Sequence, residues 1–277
     1  MRAAAVDSDL QGADNLVGGM GRDILVGGGS ADGQSDTLTD LHGSNLLIGD
    51  HADVDGIRIL DAVTRVDSIA SAQGNADRIE AGSGHDILLG GEAADDIRAA
   101  GGNNIVLGDS ASLHFAGGQW QQLESLATTA GGADSIQTGN GHDIIIAGER
   151  GDAVSSAGGD DIITGDLARL DAATHAGAAT VATLSSGLSG DDVIDAGAAN
   201  DVVLGGAGSD QIEVGSGEDL GIGDDARVGF VNRTDAVFFE NLAADDGAAD
   251  RLSSTGIGDS VLMGQGGADQ ITGSESD

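Results

Sequence analysis

Acidic and amide residues recur along this chain at intervals of nine, usually preceded by glycine and followed by an aliphatic residue. In residues 75–109 they are Asp77, Asp86, Asp95 and Asn104. Carboxylate, amide and backbone carbonyl oxygens suit Ca²⁺, which takes about 6–8 oxygen ligands at roughly 2.3–2.6 Å. Mg²⁺ needs a tighter octahedron, and transition metals favour clustered His or Cys, whereas the six His are scattered and Cys is absent. The spacing therefore favours calcium binding.

The unit behind this spacing has the form G-G-x-G-x-D-x-U-x, in which U is a large aliphatic residue. Its cleanest copies are GGMGRDILV at Gly18–Val26 and GGAGSDQIE at Gly205–Glu213. The chain resembles the hemolysin-type (RTX) calcium-binding repeat proteins, whose nonapeptides form a parallel β-helix and bind Ca²⁺. A single copy would be read as an Asp that closes a turn through its own backbone. Because many copies share one phase, we interpret them as metal-binding repeats.

We interpret each nonapeptide as a turn of six residues followed by a strand of three. Glycine permits the positive φ of a tight turn and lets a carbonyl approach an ion. Two units make one coil, and strands of successive coils pair about 4.8 Å apart. The predicted fold is all-β: a right-handed parallel β-roll, which is a two-sheet β-solenoid, with periodic β-hairpin insertions.

The resemblance implies that calcium ions lie between stacked turns, held by the sixth residue of each unit and by turn carbonyls. Asn45 and Asn104 depart from the family pattern, and we expect their amide oxygens to bind calcium more weakly. The predicted side-chain ligands are Asp14, Asp23, Asp36, Asn45, Asp77, Asp86, Asp95, Asn104, Asp134, Asp143, Asp152, Asp161, Asp192, Asp201, Asp210, Asp219, Asp250 and Asp269. The predicted carbonyl ligands are Gly19, Gly21, Gly82, Gly84, Gly139, Gly141, Gly206, Gly208, Gly215 and Gly217. The ligand requirement of each ion suggests roughly 12–16 bound Ca²⁺.

A longer period is marked by Gly-Asp pairs that end at Asp50, Asp109, Asp166 and Asp224, with spacings of 59, 57 and 58 residues. We predict one continuous repeat domain over residues 1–277. Its roll blocks are about 11–50, 74–109, 131–166, 189–224 and 247–277, and its inserts are about 51–73, 110–130, 167–188 and 225–246. Strand-rich arms around a turn favour hairpins in the inserts, with a short helix as the alternative in the Ala-rich third. Hairpins that leave the same edge would pair into a continuous side sheet.

The large aromatic residues lie in the inserts, at Phe115, Trp120, Phe230, Phe238 and Phe239. Trp120 is a weak candidate for ligand binding, as a platform on which a sugar ring stacks. The alternative is that these aromatics form the buried face of the insert sheet.

The chain has 47 acidic and 11 basic residues and a net charge of −36. This charge opposes binding to nucleic acid and to anionic membranes. Such acidity with few aromatics is also typical of disorder, an alternative that applies mainly to the metal-free chain. No apolar run approaches the ~18 residues of a membrane-spanning helix, and no signal peptide is recognisable.

We predict a calcium-binding structural segment of a secreted, extracellular bacterial RTX protein, monomeric and without catalytic residues. With about one core aliphatic per nonapeptide and stacked carboxylates, the metal-free chain is expected to be largely unfolded, so that calcium supplies the folding energy. Type I secretion follows from the family resemblance alone. The alternative is a calcium-dependent module that binds a polysaccharide or surface ligand for an adhesin or an extracellular enzyme.

Overall fold

A computed structural model of the chain describes residues 3–6, 12–29, 33–56, 63–69, 74–172, 179–185, 187–231, 235–242 and 247–274. These residues form 28 strands, numbered β1 to β28 along the chain, and no helix. Among them there is accordingly no helix of the length and apolarity that crossing a membrane requires. The predicted all-β class is confirmed.

Two parallel sheets of ten strands each form the roll, and consecutive repeats alternate between them. Sheet A contains β1 (Ala3–Val6), β3 (Ile24–Val26), β5 (Leu46–Ile48), β9 (Ile87–Gly91), β11 (Ile105–Asp109), β15 (Ile144–Gly148), β17 (Ile162–Asp166), β21 (Val202–Leu204), β23 (Leu220–Ile222) and β27 (Val261–Met263). Sheet B contains β2 (Asn15–Val17), β4 (Thr37–Asp40), β8 (Arg78–Ser83), β10 (Asp96–Gly101), β14 (Ser135–Asn140), β16 (Ala153–Ser155), β20 (Val193–Asp195), β22 (Gln211–Glu213), β26 (Arg251–Ser253) and β28 (Gln270–Thr272). The predicted β-roll is confirmed. Strand β1 was not predicted, because it carries the aliphatic pattern without an acidic residue before it.

A third sheet of eight antiparallel strands is built from the inserts. Sheet C contains β6 (Ala52–Asp55), β7 (Arg65–Ser68), β12 (Ala111–Ala116), β13 (Gln119–Ser125), β18 (Ala168–Asp171), β19 (Ala179–Thr183), β24 (Ala226–Val231) and β25 (Asp235–Asn241). Each insert contributes one hairpin, and neighbouring hairpins pair through β7–β12, β13–β18 and β19–β24. The predicted continuous side sheet is therefore confirmed, and the helix alternative for the third insert is wrong over its two strands. Insert residues 57–62, 70–73, 173–178, 186, 232–234 and 243–246 lie outside the described part.

The two roll sheets differ in sequence because they differ in what covers their faces. Central strands of sheet A are aliphatic at successive positions, as in ILV at Ile24–Val26 and III at Ile144–Ile146, and these residues are buried on both faces. Sheet B strands alternate, as in RIE at Arg78–Glu80, where only the central Ile79 is buried. A strand that is covered on both faces is a continuous run of apolar residues, whereas a strand with one solvent-exposed face alternates apolar and polar residues. Sheet A is thus the middle layer of three.

The predicted core of about one large aliphatic residue per repeat lies between sheets A and B. The expectation that this is the whole core is wrong, because a second cluster lies between sheets A and C. Central residues such as Leu88 and Ile97 pack between sheets A and B. The flanking residues of sheet A, such as Leu89 and Leu107, pack against sheet C residues including Leu113. The inserts therefore supply a second apolar layer, because each hairpin folds back over the outer face of sheet A.

Candidate metal-binding ladders

The sixth residues of the nonapeptides form two stacks, one at the start of each roll sheet. Ladder B precedes the strands of sheet B and contains Asp14, Asp36, Asp77, Asp95, Asp134, Asp152, Asp192, Asp210, Asp250 and Asp269. Ladder A precedes the strands of sheet A and contains Asp23, Asn45, Asp86, Asn104, Asp143, Asp161, Asp201 and Asp219. The structure therefore brings all eighteen predicted side-chain ligands into two rows. Ser260 continues ladder A, since it directly precedes β27 and its hydroxyl donates to Asp219.

Each ladder is held together by one side-chain oxygen of every member after the first. The Oδ1 atom of Asp95 accepts the backbone N–H of Asp77 at 2.7 Å, and Oδ1 of Asp134 accepts that of Asp95 at 2.8 Å. The same bond joins successive residues along both ladders, from Asp14 to Asp269 and from Asp23 to Asp219. One carboxylate oxygen thus fixes the register of the coils, and the other is left for a different partner.

The second carboxylate oxygen, Oδ2, is buried without a hydrogen-bond partner at nine ladder positions. They are Asp77, Asp86, Asp95, Asp134, Asp152, Asp192, Asp201, Asp210 and Asp250. None of these residues is more than 4% exposed. A buried carboxylate that is neither paired nor hydrogen bonded is strongly disfavoured, so it either takes up a proton or binds a cation.

The protonation of these carboxyl groups shows how strongly the metal-free site disfavours charge. Burial, together with the charge of neighbouring carboxylates, raises the pKa of Asp77 to about 8, of Asp192 to about 9 and of Asp152 to about 11. At Asp86 burial raises the pKa to about 6. A divalent cation beside the free oxygen reverses this effect, because it stabilises the ionised form.

Glycines make room for the free oxygens. A Cβ on Gly49 would lie well inside 3.0 Å of both Asp77 Oδ2 and the carbonyl oxygen of Gly90, one coil further on. Gly90 has the same relation to Asp95 Oδ2 and the Gly108 carbonyl. A carboxylate oxygen and a carbonyl oxygen therefore converge beside each of these glycines, and any other residue would fill that space.

The predicted carbonyl ligands lie in the same stacked turns. The carbonyls of Gly21, Gly84, Gly141 and Gly217 point along the stack, since a Cβ on the glycine one coil further on would collide with each. The Gly215 carbonyl accepts the backbone N–H of Thr255 at 3.0 Å and the Ser254 hydroxyl at 3.5 Å, so it already has two donors from the protein. The other predicted carbonyls are Gly19, Gly82, Gly139, Gly206 and Gly208, and their role as ligands stays a prediction.

Five members of ladder A have their second side-chain atom occupied by the protein, the first being Asp23, whose Oδ2 accepts the backbone N–H of Gly19 at 3.0 Å. Asn104 Nδ2 donates to the Gly102 carbonyl at 3.1 Å, and Asn45 Nδ2 donates to the His42 carbonyl at 3.3 Å. Asp161 Oδ2 accepts the Ser156 hydroxyl, and Asp219 Oδ2 accepts the Ser260 hydroxyl. These positions have less need of a cation than ladder B, where unpartnered oxygens follow one another along the stack.

Sequence reasoning noticed the Gly-Asp pairs but did not assign them a role. Asp166 accepts the backbone N–H of Gly190 at 3.3 Å and that of Ala207 at 2.5 Å. Asp109 likewise accepts the N–H groups of Gly132 and Glu149. Each carboxylate therefore ties the chain that returns from an insert to the turn of the following coil. The recurrence of Asp at the start of all four inserts was the available signal.

Among the described residues, no three His, Asp or Glu side chains converge as a ready-made metal site. Each step of a ladder offers a single carboxylate together with carbonyl oxygens from two turns. This donor set suits Ca²⁺, a hard cation that accepts backbone carbonyls, and does not suit Zn²⁺. The residues present fit calcium.

A protein-family model described as the RTX calcium-binding nonapeptide repeat (4 copies) matches residues 9–33, 71–106, 128–163, 186–220 and 254–277, which together make up more than half of the chain. The eight strands of sheet C lie outside every matched segment. No curated protein and no solved structure matches the chain.

Proposed function

Because the chain belongs to the RTX calcium-binding nonapeptide repeat family and its repeats bind several calcium ions, we propose that calcium completes the fold of this roll, which serves as a structural segment of a secreted protein. The observation that carries the proposal is the row of buried, unpartnered Oδ2 atoms along the ladders. Calcium supplies the positive charge that these oxygens lack, and its binding energy becomes folding energy.

Two opposing contributions set how much of the fold depends on calcium. The second core between sheets A and C stabilises the metal-free roll. The ladder carboxylates destabilise it at neutral pH, because each must be protonated or remain charged in a buried row. With a net charge of −36, roughly 12–16 bound divalent ions would neutralise most of the repulsion.

A fold that needs calcium suits a protein that leaves the cell before it folds. Calcium sites in proteins have dissociation constants from about 10⁻⁹ to 10⁻³ M, and the weak end of this range responds only to the calcium-rich exterior. We propose that the chain is extracellular and structural rather than enzymatic. The support is that the buried carboxylates of the described residues, Asp40 apart, belong to the ladders or lie at the insert connections.

The test is a calcium titration of chelated protein followed by far-UV circular dichroism and by calorimetry. We expect a cooperative gain of β structure with calcium and none with magnesium at the same concentration. A chelated protein that already has the full β signal would contradict calcium-dependent folding.

A matched pair of variants locates the ions. Asp192→Asn removes a ladder carboxylate that is 1% exposed, whereas Asp191→Asn makes the same chemical change at the exposed neighbouring residue. Asp192→Asn should bind fewer calcium ions by calorimetry and need about tenfold more calcium, the equivalent of about 1.4 kcal/mol. Asp191→Asn should match the unmodified protein. Equal stoichiometry for both variants would argue against calcium at ladder B.

A further inference from the structure

A cleft lies between the tip of the second hairpin and the turns beside ladder A. It has a volume of about 370 Å³ and is lined by both Phe115 and Trp120 of the hairpin and by Ile87, Ile105 and Ile144, the first residues of three sheet A strands. We call it the hairpin cleft. Its volume falls in the range of about 300–1,000 Å³ that small-molecule sites occupy.

Local sequence places the aromatic pair at this point. Gly117 and Gly118 both have positive φ, +60° and +74°, which is the geometry of a two-residue type I′ hairpin turn. The turn sets Phe115 opposite Trp120 across the two strands. Because the hairpin leaves the end of β11 and runs back over sheet A, its tip reaches the beginning of the sheet A strands.

The floor of the cleft is apolar but incompletely covered. Ile87, Ile105, Phe115 and Trp120 pack against the outer core, and all four are only partly buried. Trp120 is the single Trp of the chain. A partly buried indole that packs against a core and lines a cleft offers a stacking surface for a ring with an apolar face.

The rim of the cleft is polar. The Nδ1 atom of His85 accepts the N–H of Asn103 at 2.8 Å, and Nδ1 of His142 accepts the N–H of Asp160 at 2.8 Å. In a neutral imidazole whose Nδ1 accepts, Nε2 carries the proton, so a neutral His85 ring has a donor at Nε2. Gln119 on the hairpin adds an amide with both a donor and an acceptor.

We propose that the hairpin cleft binds a neutral saccharide, with one pyranose ring stacked on Trp120. A pyranose ring has an apolar C–H face and a rim of hydroxyl groups, which matches the apolar floor and the imidazole and amide rim. Arg22 and Asp86 also line the cleft with opposite charges, so the net charge of −36 sets the field there and disfavours an acidic sugar or a nucleic acid. The proposal rests on the folded roll. It goes beyond calcium binding because the contacts proposed for the sugar are Trp120, Gln119 and the imidazole rim, although Asp86 and Asn104 of ladder A also line the cleft.

The test uses the full chain in saturating calcium and follows the fluorescence of Trp120. The probes are soluble oligosaccharides of equal length, namely glucose, galactose and mannose oligomers, with a hexuronate oligomer as the charged counterpart. At least one neutral oligomer should shift the emission saturably, and the hexuronate should bind at least about tenfold more weakly. No saturable shift with any neutral oligomer, or equal binding of the hexuronate, would overturn the proposal.

Variants separate the cleft from the general surface, with binding measured by calorimetry. Trp120→Ala should abolish binding, and Gln119→Ala, an exposed rim change that should not disturb folding, should weaken it several-fold. Phe238→Ala is the control, because Phe238 is an exposed aromatic, 43% accessible, that does not line the cleft. If the single variants Gln119→Ala and Trp120→Phe both bind the saccharide with full affinity, the assignment of the saccharide to the hairpin cleft is overturned. A calcium-induced circular dichroism change without saccharide binding would refute this proposal alone and leave calcium-dependent folding intact.

Discussion

Replacing Gly197 by Ala should disrupt the stacking of two coils. Gly197 has a φ of +89°, and a Cβ built on it would lie 2.5 Å from the carbonyl oxygens of both Ser156 and Ala157 in the preceding coil. Contacts of real Cβ atoms stay beyond 3.0 Å, so the coils must separate by about half an ångström at this point. Both obstacles are backbone atoms fixed in a stack, which leaves the side chain no way to turn aside.

The expected cost has two parts. The left-handed backbone disfavours Ala by about 1–2 kcal/mol, and overpacking against fixed atoms adds about 1–3 kcal/mol. Gly187→Ala is the matched control, because Gly187 has a φ of +70° with nothing within 4 Å of the added Cβ. The control isolates the first part of the cost, so the difference between the variants measures the collision alone.

The assay is urea unfolding in saturating calcium, followed by far-UV circular dichroism. The free energy of unfolding of Gly197→Ala should fall about 1–3 kcal/mol below that of Gly187→Ala. The calcium concentration needed for half folding should also rise more in Gly197→Ala. If the two variants have the same unfolding midpoint, the close approach of stacked turns does not contribute to stability as argued here.

Three further perturbations test other parts of the molecule. Acidification should increase the β structure of chelated protein, because the folded pKa values of about 8 for Asp77 and 11 for Asp152 exceed the unfolded value of 3.8. The stability that these groups contribute is complete below pH 3.8 and is lost as pH rises through the folded pKa values. A circular dichroism signal that is no larger at pH 5 than at pH 8 would contradict this expectation. Leu113→Ala removes a fully buried contact between sheets A and C, so it should lower the free energy of unfolding by about 2–5 kcal/mol and shift the Trp120 emission to the red. The control Val193→Ala, at an exposed position, should lower the free energy of unfolding by less than about 0.5 kcal/mol. Asp166→Ala leaves the N–H groups of Gly190 and Ala207 without an acceptor, so their hydrogen exchange should accelerate, while Asp171→Ala should leave exchange at these amides unchanged.

The ladder positions were predictable because they depend on a strictly local rule. A nine-residue unit with glycines in the turn and an aliphatic in the strand repeats its geometry each time, so Asp77, Asp95 and Asp134 must stack if the roll forms at all. The hairpins were predictable from their strand-rich arms and even spacing. The pairing of hairpins into sheet C also followed from that spacing.

The core between sheets A and C and the hydrogen bonds of the Gly-Asp carboxylates at the inserts were not predicted, although the sequence carried a signal for each. Strands such as III at Ile144–Ile146 are apolar at every position, in contrast to RIE at Arg78–Glu80, which indicates a strand covered on both faces. The Asp that follows glycine at each insert marks the connection between coils. Which face the hairpins cover depends on contacts between residues far apart in the chain, and a repeat pattern alone does not specify them.

The sequence by itself determined the solenoid, its two rows of acidic side chains and the identity of the cation, because period, residue type and donor chemistry are local properties. Tertiary structure alone decided which oxygen of each carboxylate bonds to the neighbouring coil and which remains without a partner. It also decided that Trp120 lies against the first residues of sheet A in a cleft. These outcomes depend on how coils and hairpins that are far apart in the chain pack against one another. That packing is determined by the apolar surface buried among all three sheets.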